Sequence, residues 1–297
     1  DGVIAIGGGS ALDAGKAIAL MARQGISIWE LEDVGDNWTR ADVAGIAPIV
    51  AVPTTAGTGS EVGRASVILD EAERVKKIIF HPKMVPAIVI LDPMVTTGLP
   101  PMLTAATGMD ALSHSLEAWC SPVYHPMAEG IAVEGMRLVR EYLPAAVASG
   151  SDVEARTQML VASMMGATAF QRGLGAMHAL AHPLGALYNA HHGTLNAVLM
   201  PYVLIANRQA IEPRIIRLAK SIDIPNASFD SFLDWVLELR ETVSIPQNLE
   251  DLGIDDSQAD LIGKMAEVDP SSGTNPTLFD ASQYQSVFMN ALNGNLS

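Results

Sequence analysis

The sequence predicts an α/β domain over residues 1–98 followed by an all-helical domain over residues 99–297. Three observations carry this division. Short, continuous, β-branched runs ending in Gly, Pro or Asp turns occur only before Leu99-Pro100-Pro101. Beyond that point such runs are scarce and segments of helical length follow one another. At 297 residues, the chain is also long enough for two cores, since a single core stops growing at about 250–300 residues.

In chain order, Val3-Ile4-Ala5-Ile6 reads as a buried strand, Gly7-Gly8-Gly9-Ser10 as a turn and residues 11–23 as a helix. Residues 48–52 form a second apolar strand that runs into Pro53-Thr54-Thr55. Residues 66–69 and 77–80 flank the charged tip Asp70-Glu71-Ala72-Glu73-Arg74 and predict an antiparallel hairpin. Residues 87–91 are a third short strand ending at Asp92-Pro93. Apolar strands without polar alternation call for a sheet covered on both faces. A parallel strand directly after Asp1-Gly2 needs neighbours, which βα units usually supply from upstream, so the α/β domain is expected to be truncated at its N-terminus. The helical domain is read as segments 101–119, 126–147, 152–170, 193–207, 211–222, 228–243, 256–268 and 280–293, with Pro201, Pro213 and Pro246 marking breaks or first turns. No internal repeat, low-complexity tract or long linker separates the two parts.

Composition excludes several classes of function. A net charge of −15 disfavours nucleic acid and anionic membranes, both of which need clustered Lys and Arg. Every apolar stretch is interrupted before the roughly 20 residues needed to span a bilayer. The single cysteine, Cys120, excludes an intrachain disulfide and fits a reducing cytoplasm. Neither end shows a signal peptide or a lipidation motif, so a cytoplasmic protein is expected.

Two turns invite a ligand. Strand, Gly7-Gly8-Gly9-Ser10, helix is an arrangement that exposes N-terminal amides to an anion, although a tight βα turn would read the same. It is neither the G-x-G-x-x-G fingerprint nor a Walker A loop, and Lys16 lies too far along the helix to cradle a phosphate. The second turn, Pro53-Thr54-Thr55-Ala56-Gly57-Thr58-Gly59-Ser60-Glu61, puts hydroxyls and small residues at a strand's carboxyl end, where open α/β sheets bind ligands. Polar capping is the alternative there. Two such turns together point to a dinucleotide better than either alone.

The histidines are more specific. Of 7 in the chain, His114 lies in GMDALSHSLEAW, while His178, His182, His191 and His192 lie in GLGAMHALAHPLGALYNAHHGTLNAVLMP. Asp110 and His114, four residues apart, share a helix face. A carboxylate with several imidazoles suits Fe²⁺ or Zn²⁺ rather than Ca²⁺ or Mg²⁺. Burying these groups without partners would cost several kcal/mol, and one ion would neutralise them together. His178 and His182 are spaced as H-x-x-x-H, which by spacing alone reads as two ligands, but no Glu follows the first, so the H-E-x-x-H signature is absent. His81 and His125 stand alone and read as surface or packing residues.

These residues resemble the iron-containing (group III) alcohol dehydrogenase family. The matching pieces are GGGSALDAGK at 7–16, PTTAGTGSEV at 53–62, PAIVILDP at 86–93, GMDALSHSLEAW at 108–119, and GLGAMHALAHPLGA through HHGTLNAVLMP at 173–201, in the family's order. Beyond residue 201 the likeness is only one of helical character. The resemblance implies a dehydroquinate synthase-like/iron-containing alcohol dehydrogenase fold. It implies an ion, Fe²⁺ with Zn²⁺ as the alternative, held by Asp110, His114, His178 and His192. It implies a dinucleotide pyrophosphate at Gly8, Gly9 and Ser10, with Asp13 near the nicotinamide end, Thr54, Thr55 and Thr58 in the second turn, and a cofactor contact from Lys76, one residue from Lys77. Gly63 departs from the family, which often has Thr after its SEV, and removes one expected hydroxyl.

The same resemblance puts His182 outside the ligand set, facing the reaction cleft as a proton relay, with His191 an exposed or outer neighbour. The implied activity is interconversion of a small alcohol and its aldehyde or ketone with NAD or NADP, by a homodimer or higher homo-oligomer. Residues 167–172, Met177 and Tyr188 are expected to line a modest apolar substrate pocket. The cofactor choice stays open because the adenosine-binding strands are not in the sequence. Three alternatives are weighed against this. A dehydroquinate synthase-like lyase would need more basic residues near the ligands. Glycerol dehydrogenases usually lack a ligand matching His114. A non-catalytic protein would close its metal with four ligands.

Overall fold

The computed structural model describes residues 1–73 and 75–296; Arg74, the last residue of the expected hairpin tip, lies outside the described residues, as does Ser297. Strand β1 (Val3–Gly7) pairs in parallel with β2 (Ile49–Pro53), and β2 with β5 (Ile88–Val89), in the order β1-β2-β5. Between β2 and β5 the chain forms the predicted antiparallel hairpin, β3 (Ala65–Asp70) against β4 (Val75–Phe80), as a separate two-stranded sheet. Helix α1 (Gly9–Met21) starts two residues earlier than predicted, so Gly9 and Ser10 belong to its first turn.

The expectation of a sheet covered on both faces is corrected. Helix α1 covers the face carrying Ala5 and Ala51, which pack with Leu12 in a small apolar cluster. A Cβ at Gly15 would lie 2.5 Å from Ala5 Cβ, so glycine permits this close approach. The other face is open: Ile4 and Ile6 are 69% and 60% exposed, and Ile88, aligned with Ile4 through Val50, is 56% exposed. A second cluster (Leu20, Leu31, Ile79 and Met84) holds α1 to the hairpin.

Among the described residues, strands lie only before Leu99 and α-helices dominate beyond it, in line with the expected fold class. Helix α2 (Pro101–Cys120) begins with Pro in its first turn, where the missing N–H costs nothing. It runs through the centre of the main core, packed by α3 (Pro126–Ala148), α4 (Val153–Ala169) and α6 (His192–Ser221). Helices α7 (Phe229–Thr242), α8 (Ala259–Glu267) and α9 (Ala281–Asn293) complete the layer. No helix among the described residues is long and apolar enough to cross a membrane.

Two helical expectations are corrected. Helix α5 (Ala176–Tyr188) falls in a stretch where no helix was predicted. It is buried nearly all round, from Ala176 to Ala181 and again at Pro183 and Leu184, so it lacks the polar stripe that marks a helix, and it contains Pro183. Helix α6 is continuous through Pro201 and Pro213, where breaks or first turns were expected, and joins the separate segments 193–207 and 211–222 into one helix. Each fully buried side chain such as Leu195, Val198 or Leu199 contributes roughly 1.5–3 kcal/mol. Together they exceed the about 3 kcal/mol that an interior proline costs.

The two parts of the chain meet at the threonine turn. Gly59 has a left-handed φ of 66°, and a Cβ there would lie 2.2 Å from Ala167 Cβ on α4. A Cβ at Gly57 would lie 2.8 Å from Thr107 Cβ on α2. The glycines of this turn thus let the α/β part seat directly on the helices that carry the histidine cluster.

Candidate metal centre

Three helices converge on the cluster. Helix α2 presents Asp110 and His114 one turn apart, α5 presents His178 and His182, and α6 opens with His192. Gly193 makes the junction possible, because a Cβ there would lie 2.3 Å from the Ala106 carbonyl oxygen and 3.2 Å from Asp110 Cβ. Only glycine lets the start of α6 approach α2 so closely. His191 is the N-cap of α6, its Nδ1 accepting from the Thr194 backbone N–H at 3.4 Å. The two solitary histidines also act as caps: His81 accepts from Lys83 N and His125 from Ala128 N.

Among the described residues, ligand atoms of Asp110, His178 and His192 all lie within 4.8 Å of one another. His192 Nε2 is 3.7 Å from Asp110 Oδ1. His114, expected as a fourth member, stands beside this set: its Nε2 is 3.9 Å from Asp110 Oδ1, its ring stacks on His178 with centroids 4.9 Å apart, and it forms a T-shaped pair with Phe170 at 5.1 Å. The His114 Nδ1 is buried without a hydrogen-bond partner.

The donor set fits a cation. His178 Nδ1 lies 2.6 Å from Glu117 Oε2, an arrangement in which a proton on Nδ1 would leave the Nε2 lone pair facing the centre. Asn196 Nδ2 lies 2.9 Å from Asp110 Oδ1, 3.1 Å from His178 Nε2 and 3.2 Å from His192 Nε2. Two amide hydrogens serve three acceptor positions there, so one acceptor is left for another positive group. Residues of this kind, with N and O atoms from a carboxylate and imidazoles, suit Fe²⁺ or Zn²⁺.

The electrostatics agree. Burial opposes a charge on Asp110, but His114, His192 and His178, with the Asn196 N–H, outweigh it and hold the carboxyl at about 2. Burial pushes the His178 imidazole well below its ordinary value and the Glu117 carboxyl up to about 7. His192 keeps 37% of its side chain exposed, yet burial of the rest and the adjacent imidazoles lower it too. Burial thus favours the neutral form of His178 and His192, the state in which an imidazole binds a metal.

His182 sits at the rim. Its ring stacks on His192 with centroids 5.6 Å apart, its side chain is 38% exposed, and its Nδ1 lies 2.8 Å from Asp269 Oδ2. Asp269 also accepts the Ser271 N–H at 2.8 Å, which fixes the carboxylate. Of the expected pocket residues, Phe170 faces His114, but Arg172 and Met177 are turned inward. Arg172 is buried on the Ala118 and Trp119 carbonyls and on Glu129, and Met177 lines a separate pocket with Glu117 and Cys120.

The two ligand-inviting turns lie against each other. A Cβ on Gly9 would meet Thr58 Oγ1 at 2.6 Å, and one on Gly8 would meet Thr55 at 3.4 Å. Thr54 N donates to the Gly7 carbonyl at 2.9 Å. Ser10 is exposed on the first turn of α1, whose N-terminus no side chain caps. Asp13, expected near the nicotinamide end of the cofactor, is engaged within the protein. Its Oδ1 takes the Ser60 hydroxyl at 2.5 Å and Lys16 Nζ at 3.1 Å, and its Oδ2 takes the Val67 N–H at 3.0 Å. It clamps α1 to the threonine turn and the hairpin. Lys77 is likewise committed, to Asp70 at 3.0 Å and Glu73 at 2.7 Å, whereas Lys76 is exposed opposite Leu69.

Sequence reasoning missed Glu117, Gly193, Asn196 and Asp269. Glu117 and Asn196 carried a signal, since they lie on the helix faces of His114 and His192 at three- and four-residue spacing. Asp269 carried none beyond an Asp-Pro cap.

Residues 1–93 match the family model described as "Iron-containing alcohol dehydrogenase", and residues 104–292 the one described as "Fe-containing alcohol dehydrogenase family, C-terminal". The chain is 39% identical over 297 residues to the 4-hydroxybutyrate dehydrogenase of Cupriavidus necator, covering 96% of this chain and 76% of that protein. Its fold is similar to that in the crystal structure of a 1,3-propanediol oxidoreductase, with a TM-score of 0.91, 34% identity, and coverage of 97% of this chain and 76% of that one. It is also similar to a sulfoacetaldehyde reductase from Bifidobacterium kashiwanohense in complex with NAD⁺, with a TM-score of 0.89, 30% identity, and coverage of 98% and 76%.

Proposed function

The chain belongs to the iron-containing alcohol dehydrogenase family, and from that premise we propose how it interconverts a small alcohol and its carbonyl partner. The observation that carries the reading is the convergence of Asp110, His178 and His192 within 4.8 Å. These three, with His114 beside them, would hold Fe²⁺, with Zn²⁺ as the competing ion. Such an ion supplies Lewis acidity to the alcohol or carbonyl oxygen, and the nicotinamide supplies the hydride acceptor or donor.

The protein's own residues do the rest. Gly8 and Gly9 open the uncapped start of α1 to a pyrophosphate, which the helix dipole favours. Ser10, Thr54, Thr55 and Thr58 offer hydroxyls around it, and Lys76 an exposed ammonium. Asp13 acts indirectly, through the loop it clamps. His182, with its Nδ1 proton held by Asp269, has Nε2 free to take a proton from the substrate side and pass it to water at the exposed rim. An NAD⁺ complex of one relative supports NAD, with NADP the alternative. The relatives' names, a hydroxybutyrate and a three-carbon diol, support a short primary alcohol as substrate. A single free, buried cysteine supports action in a reducing cytoplasm, and a homo-oligomer is proposed with it.

The test is a panel of short alcohols with NAD⁺ and NADP⁺, before and after chelation. Alcohol-dependent reduction of the nicotinamide, lost on chelation and restored by Fe²⁺ or Zn²⁺, is expected. Turnover that survives complete metal removal would contradict the proposal.

A further inference from the structure

Glu117 lies on α2, on the face that carries Asp110 and His114, and is 4% exposed. Its two oxygens serve different donors on α5. Oε1 accepts the Met177 backbone N–H at 2.7 Å, and Oε2 lies 2.6 Å from His178 Nδ1. Helix α5 has no cap from its own N-cap residue, Gly175. Instead, two residues from outside the helix cap it: Glu117 takes the Met177 N–H, and Asn275 Oδ1 takes the Ala176 N–H at 3.1 Å. A Cβ at Gly175 would lie 2.9 Å from Asn275 Oδ1 and 3.1 Å from Glu117 Oε1, so glycine lets both reach.

We infer that Glu117 is a positioning residue of the centre: one carboxylate fixes both the start of α5 and the tautomer of the histidine that α5 carries. With its proton on Nδ1, His178 turns a lone pair on Nε2 toward Asp110 and His192. This inference rests on the reading that those residues hold an ion. Only an acceptor on both arms satisfies the two N–H donors. A glutamine keeping the Met177 bond would turn its NH₂ group to His178 Nδ1, and so favour the opposite tautomer, with a hydrogen on Nε2 facing the centre. Outer partners of this kind typically set metal affinity by about 10- to 100-fold.

The experiment uses the full chain with Zn²⁺ as probe, in competition with a chromophoric chelator, and ¹⁵N shifts of the histidine rings in the metal-free protein. E117Q is expected to bind Zn²⁺ about 10- to 100-fold more weakly and to carry the His178 proton on Nε2. N275A, which removes the other cap without touching His178, should lower Tm and leave Zn²⁺ affinity unchanged. H178A should lose affinity outright. Wild-type affinity in E117Q, alongside loss in H178A, would overturn the role of Glu117. An equal loss in N275A would reduce it to helix capping and overturn it as well. Equal Zn²⁺ binding by wild type and H178A would overturn the metal centre itself. Should E117Q not fold, the wild-type ring decides: a His178 proton on Nε2 contradicts the inference.

Discussion

Replacing His178 with alanine is expected to strip the protein of its ion and to bring turnover to background. His178 is the histidine of the cluster that links the converging atoms to the scaffold, with Nδ1 on Glu117 and Nε2 on the side of Asp110 and His192. The substitution deletes a ligand and also leaves the buried Glu117 carboxylate without its imidazole. The loss should exceed the roughly 10- to 100-fold that removal of an outer partner costs. Metal analysis of the purified protein after gel filtration reads this directly. His191→Ala, which removes only the N-cap of α6, serves as the control and should keep its metal. Full occupancy in His178→Ala would remove that residue from the ligand set.

The second large effect is expected at the rim. His182→Ala should keep its metal and lower kcat by about 10²- to 10⁴-fold, the range typical for loss of a positioned acid–base group. The ring is placed for this role: it stacks on His192, is partly exposed, and is oriented by Asp269 at 2.8 Å. Asp269→Asn should give a smaller loss of the same kind, because an asparagine can still hold the ring through its oxygen. Parallel measurement of metal content and kcat separates this from a disturbed centre. An unchanged kcat in His182→Ala would take the residue out of the reaction.

Much of the site was legible because its chemistry is concentrated. Asp110 and His114 sit at one helical spacing and five of the 7 histidines fall in two short segments, so spacing marked the region, while the choice of His178 and His192 over His182 and His191 came from the family resemblance. The threonine turn was legible because hydroxyls followed directly on an apolar strand. What was hidden depended on distance along the chain. Asp269 reaches His182 from 87 residues away, and nothing local announces the pair. Nothing near Asp13 announces its partners either, since Ser60 lies in the threonine turn and Val67 in β3. Helix α5 was invisible to periodicity because it is buried nearly all round, and the prolines of α6 misled because packing outweighs their cost. The open face of the sheet, with Ile4 and Ile6 outward, could not be told from a covered one by strand composition.

The central claim is that Asp110, His178 and His192 share one cation, with His114 beside them. Anomalous diffraction at the iron and zinc edges, from crystals grown with each metal, tests it most directly. The account predicts a single strong peak within bonding distance of Asp110 and the Nε2 atoms of His178 and His192. A bound metal whose peak lies elsewhere, with those three residues free of it, would contradict the account.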